Sequence, residues 1–94
     1  MSKPLPQIDN ANVLYWAWSG LVPFGVLKYT TGEVASEIYG LAICQYANST
    51  QVYRFSCDKD WETQQDSFYD SVQQAIEELP EQYRNVEAEW IKFE

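Results

Sequence analysis

The chain has no histidine. That absence removes the side chain that titrates near neutral pH, and with it every Ser–His and Cys–His nucleophile. Cysteine is scarce: Cys44 and Cys57 are the only two. Each falls in a β-rich stretch, and the turn Ala47-Asn48-Ser49-Thr50 joins them. If residue 46 pairs with 51, Cys44 lies opposite Tyr53 and Cys57 opposite Gly40, too far apart along the ladder for a disulfide. Two reduced, buried thiols and a cytoplasmic compartment are the expectation. Two separated thiols without histidine cannot close a zinc site.

Basic residues are few, six against fourteen acids, and they are scattered. Contact with a phosphate backbone needs clustered Lys and Arg, so nucleic acid is not an expected partner. With four glycines, the chain has no glycine-rich phosphate loop. Long hydrophobic runs are missing too. Asn10 to Leu27 carries no charge, but Asn12, Ser19, Gly20, Pro23 and Gly25 break it into two strand-length pieces. No membrane span is expected. Met1–Asn10 is polar, with two prolines and no basic leader, and reads as a flexible arm on a single domain of residues 1–94. Asn48-Ser49-Thr50 matches a glycosylation sequon, which in a cytoplasmic chain is only a turn.

What is abundant is aromatic surface and negative charge. Four tryptophans, seven tyrosines and four phenylalanines let a short chain bury a substantial core. The whole net charge of −8 falls in residues 58–94, because acids and bases cancel in residues 1–57. Such asymmetry speaks to solubility and to the charge of partners.

Residues 13–18, 24–30, 37–46 and 51–57 are rich in β-branched and aromatic residues and predict four strands, the last two forming a hairpin. The acidic segment 58–66 predicts a loop. Phe68, Val72, Ala75, Ile76 and Leu79 recur at helical spacing, which predicts a helix over 67–79, capped by Ser67 and stopped by Pro80. Residues 85–93 predict a fifth strand. The order β-β-β-β-α-β indicates an α+β fold, an antiparallel sheet of about five strands with one amphipathic helix on one face.

The first strand places Leu14, Trp16 and Trp18 on one face and Val13, Tyr15 and Ala17 on the other. Neither face is polar, and one helix covers only one of them. Either the sheet curls over its own core, or an aromatic face is left for a partner or a second copy.

Asp58, Asp60, Glu62 and Asp66 have the early spacing of a calcium loop. Thr63 stands where that loop needs glycine, and Tyr69 where it needs a bidentate glutamate. No metal and no cofactor are expected. Paired carboxylates on a loop and a helix surface lack the cleft a glycosidase needs, so no catalytic residues are assigned and the chain is not read as an enzyme.

The acids have a second reading. On the predicted helix Asp70, Glu77 and Glu81 share a stripe, and the last two sit at the end where the macrodipole disfavours anions. Such a face is either simply solvated or a contact for a basic partner. Trp61 among the carboxylates is either a core residue under the loop or an anchor within a charged rim. The expected contact set is Asp58, Asp60, Trp61, Glu62, Asp66, Asp70, Glu77 and Glu81. The expected function is a small acidic protein-binding module, an inhibitor or immunity-type protein that neutralises a basic partner such as a nuclease toxin. The alternative is a homo-oligomeric structural or adaptor protein, for instance a homodimer, using its aromatic sheet face.

Overall fold

In the computed structural model, which describes residues 3–94, the strands pair along hairpins set by short turns. Strands β1 (Gln7–Ile8) and β2 (Ala11–Trp18) are joined by Asp9 and Asn10, with φ of 49° and 69°. Two left-handed residues give the tight turn whose twist matches a hairpin, and Asp and Asn tolerate that conformation best after glycine. β3 (Gly25–Lys28) and β4 (Val34–Ile38) form a separate two-stranded sheet. The chain changes sheets at Tyr39 and continues as β5 (Gly40–Gln45), β6 (Val52–Cys57) and β7 (Thr63–Tyr69). The main sheet is antiparallel, in the order β1-β2-β5-β6-β7. A last strand, β8 (Ile91–Lys92), pairs with Tyr15 and Trp16 of β2, on the edge that β1 also uses.

Register sorts the side chains onto two faces. One face carries the row Tyr15, Ile43, Arg54, Ser67 and the row Ala17, Leu41, Ser56, Gln65. It is covered by Phe24 and Ile38 from the hairpin side, by Ala75 of helix α1 (Val72–Glu77), and by Leu79 and Tyr83 around a 3-10 turn (Glu81–Tyr83). The other face carries the rows Val13, Cys44, Tyr53, Phe68 and Trp16, Ala42, Phe55, Asp66. No helix covers it. Even so, Ala11, Ala42, Cys44, Phe55 and Cys57 on it are buried, because the curled sheet brings Trp16, Tyr46, Tyr53, Trp61 and Phe93 over them.

Arg54 is the largest fully buried side chain. Its Nη1 donates to the Tyr69 hydroxyl at 2.9 Å, Nε to Ser56 Oγ at 3.3 Å and Nη2 to Ser67 Oγ at 3.4 Å. The guanidinium carbon lies 5.2 Å from the centre of the Tyr83 ring. Hydroxyls and an aromatic face thus solvate a buried cation.

Several expectations change. The architecture is mostly β, with one helix of six residues, rather than an α+β fold with a helix over 67–79. Residues 63–69 are a strand because a short turn folds them back on β6, whose buried backbone groups need partners on that side. Phe68 therefore stands 62% exposed on the sheet instead of in a helical stripe. The cap is Ser71, whose Oγ accepts the Gln74 N–H at 3.1 Å, while Val72, Ala75, Ile76 and Leu79 still face the core. The expected strand over 37–46 is divided between two sheets at Tyr39, and the one over 85–93 shrinks to Ile91–Lys92. The expected N-terminal arm contributes β1, with Ile8 buried. The β5–β6 register is as expected, Cys44 opposite Tyr53 and Gly40 opposite Cys57, and the two thiols are buried and unbonded. No helix among the described residues is long and apolar enough to cross a membrane.

Candidate functional site

The turn between β6 and β7 is organised by Asp58. Its Oδ1 accepts the N–H of Asp60 at 2.9 Å and of Glu62 at 3.0 Å, and its Oδ2 accepts from Gln64 Nε2 at 3.3 Å. The backbone closes with Asp58 N–H to Glu62 O at 3.0 Å and Trp61 N–H to Asp58 O at 3.1 Å. The β3–β4 hairpin closes in the same way, with Tyr29 N–H to Glu33 O at 2.8 Å and Gly32 N–H to Tyr29 O at 2.9 Å. The matching positions are Gly32, with φ of 94°, and Trp61, with φ of 61°. Glycine is the residue expected where the chain must turn left-handed. A bulky residue there costs on the order of 1–2 kcal/mol.

The indole of Trp61 is held by what it packs on. It lies on Gly40, where an added Cβ would sit 2.6 Å from a ring carbon. Its ring centre is 5.7 Å from that of Trp18 and 6.4 Å from that of Trp16, the latter edge to face. Trp18 continues the surface to Tyr39, 6.0 Å away. These contacts offset the backbone strain and fix the ring's direction.

Beside this ring lies an open groove of about 550 Å³ between the β6–β7 turn and the N-terminal strand. Asp9, Asp60, Glu62 and Trp61 line it, with Lys3 and Leu5 at the other side. Lys3 is engaged by the C-terminal segment: its Nζ donates to Glu94 O at 2.8 Å and lies 4.6 Å from the Phe93 ring centre. The groove therefore offers three carboxylates against one lysine, beside a single indole.

The structure divides the expected contact set. Asp60, Trp61 and Glu62 come together in the groove. Asp58 is committed to the turn beneath them. Asp66 is exposed on β7, in the row of Phe55. Asp70 precedes α1, Glu77 ends it and Glu81 opens the 3-10 turn, and none of the three lines the groove. Asp9, Trp16, Trp18 and Gly40 were not in that set. Asp9 had a sequence signal, since Asp-Asn between Ile8 and Ala11 is a hairpin turn that folds the N-terminal segment back. Gly40 had none.

The thiols offer no nucleophile. Burial pushes Cys57 up to about 12 against the opposing Thr63 contact, and burial pushes Cys44 up further. Arg54 lies on the opposite face and does not reach either sulfur. Among the described residues, no cluster of His, Cys, Asp or Glu is arranged to hold a metal ion. A second, apolar pocket of about 310 Å³ lies between α1 and the C-terminal segment, lined by Ile76, Leu79, Val86 and Trp90 with Arg84 at its rim. Arg84 Nε is used by the Leu79 carbonyl at 3.0 Å. Compared with known proteins, the chain matches no family, no curated protein and no solved structure.

Proposed function

We propose that this chain is a small acidic protein-binding module, of the inhibitor or immunity type, whose contact surface is the groove around Trp61. The observation that supports it is the convergence of Asp9, Asp60 and Glu62 on a tryptophan that takes a glycine's place in its turn. A ring fixed over Gly40 can pack a partner's aliphatic or guanidinium group without losing rotamer freedom. The carboxylates around it steer a basic protein to the site and discriminate against acidic ones. Proteins that grip phosphate backbones carry clustered Lys and Arg. A nuclease is therefore a suitable partner, and occupying its basic surface would neutralise it.

The test is binding of an oligoarginine peptide and of an oligoglutamate peptide, followed by tryptophan fluorescence at two salt concentrations. The basic peptide should bind, more weakly at high salt, and the acidic one should not. Asp60→Lys with Glu62→Lys should slow association, and Trp61→Ala should speed dissociation, with circular dichroism showing the fold retained. Binding of the basic peptide that ignores both salt and the double reversal would overturn the reading. The homo-oligomer reading has less support, because most rings of the aromatic face are spent covering the sheet's own backbone.

A further inference from the structure

The two edges of the main sheet differ. The β2 edge is closed twice, by β1 and by β8, with Val13 N–H to Pro6 O at 2.9 Å and Phe93 N–H to Leu14 O at 2.9 Å extending the pairing. β7 is the last strand on the other side and pairs only with β6. Every second residue of such a strand turns its N–H and C=O away from its neighbour. At the start of β7, Ser36 of β4 donates to Gln64 Oε1 at 2.8 Å. The open stretch is therefore Gln65–Tyr69, where Gln65, Asp66 and Phe68 are exposed.

The side chains along that edge describe what fits it. Asp66 and Phe68 point to the aromatic face, Phe68 with its ring centre 6.1 Å from that of Tyr53. Gln65 and Ser67 point to the other face, where they are used by Tyr83 and Arg54. A second copy fits poorly: each chain carries a net charge of −8, and antiparallel self-pairing centred on Asp66 sets two carboxylates opposite one another. We infer that an extended segment of a basic protein adds to β7 as a further strand, with a lysine or arginine beside Asp66 and an apolar residue two positions along beside Phe68. This rests on the reading of the acidic surface as a contact for a basic protein. It adds the mode of contact: main-chain hydrogen bonds supply affinity, and the alternating side chains supply register.

The experiment uses the whole protein and a nine-residue peptide in which threonine alternates with lysine and valine in turn. Its control is the same peptide N-methylated at four consecutive central amides, which keeps the charge and removes the ladder donors. The unmodified peptide should bind and slow amide exchange within Gln65–Tyr69. N-methylation should weaken binding at least tenfold. Asp66→Lys, an exposed substitution, should weaken it by about three- to tenfold, as expected when an attractive cross-strand charge pair becomes repulsive. Equal binding of the two peptides would overturn strand addition and leave the basic-partner reading standing. Slowed exchange around Asp9 and Asp60 but not in Gln65–Tyr69 would do the same. Failure of both peptides while oligoarginine still binds would overturn strand addition alone, and failure of all three would overturn both. A dimer in sedimentation that Asp66→Asn strengthens, by removing the two facing carboxylates, would assign the edge to a second copy and overturn the inference.

Discussion

Replacing Trp61 should reverse the usual ranking of alanine and glycine. In an ordinary strand or helix, glycine is the less stable of the two by about 0.5–1 kcal/mol. At a φ of 61° the order turns over. Trp61→Ala removes the ring but keeps a Cβ in the left-handed region, so the conformational cost of about 1–2 kcal/mol stays. Trp61→Gly removes ring and strain together, and gives back about 0.5–1 kcal/mol through the entropy of the unfolded chain. Both variants lose the packing against Gly40, Trp16 and Trp18. Truncating a fully buried tryptophan costs about 3–5 kcal/mol, and the partly exposed Trp61 should lose somewhat less, roughly 2–4. The wild type should therefore be most stable, with Trp61→Gly about 0.5–1 kcal/mol above Trp61→Ala. Urea unfolding followed by circular dichroism reads this as a difference of a few tenths molar in midpoint at constant m. The matching hairpin supplies an internal comparison, since Gly32→Ala should lose about 1 kcal/mol with no packing change, nothing lying within 4 Å of an added Cβ. A Trp61→Ala protein as stable as Trp61→Gly would refute the account of the turn.

Three further outcomes follow from the same contacts. Gly40→Ala should destabilise by about 1–3 kcal/mol, because its methyl meets the indole at 2.6 Å; in a Trp61→Gly background the loss should largely vanish, and a double-mutant cycle with no coupling would reject the contact. Burial raises the Cys57 thiol from an ordinary 9.0 to about 12, so the unfolded chain releases its proton first; the thiol's contribution should be level below pH 8, and stability should fall as pH rises through 9 toward 12 and fall less in Cys57→Ala, read as urea midpoints against pH. Arg54→Met should cost several kcal/mol, on the order of 3, because it strands the hydroxyls of Tyr69 and Ser67 around a buried site; a change under 1 kcal/mol would mean that those hydroxyls find other partners.

The hairpin from Gly40 to Cys57 was legible in the sequence because a short polar turn between two β-rich runs admits one sensible register. The helix was misplaced for a physical reason. Phe68 falls at helical spacing from Val72 by coincidence, while the competing force, the unpaired backbone of β6, is long-range and leaves no local mark. Ser67 and Ser71 are both good caps, and only the strand decides between them. Of the acidic set, adjacency in the chain brought Asp60, Trp61 and Glu62 together. The helical stripe that joined Asp70 to Glu77 and Glu81 dissolved once the helix shortened to Val72–Glu77, and Asp66 passed from the expected loop to β7. The left-handed Trp61 was invisible because its turn is chosen by hairpin geometry, and its own residue type argues against it.

The strand order also sets a sequence of events in folding. β5, β6 and β7 are joined by short turns and form a meander whose contacts are local, whereas β2 must close a loop of intervening chain to reach β5. Trp61 belongs to the meander; Trp16 and Trp18 arrive with β2. The contacts of the Trp61 ring with Trp16 and Trp18 are thus completed only when β2 docks on β5. Tryptophan fluorescence should report that docking, and until β1 and β2 are in place the groove beside Trp61 lacks its N-terminal wall.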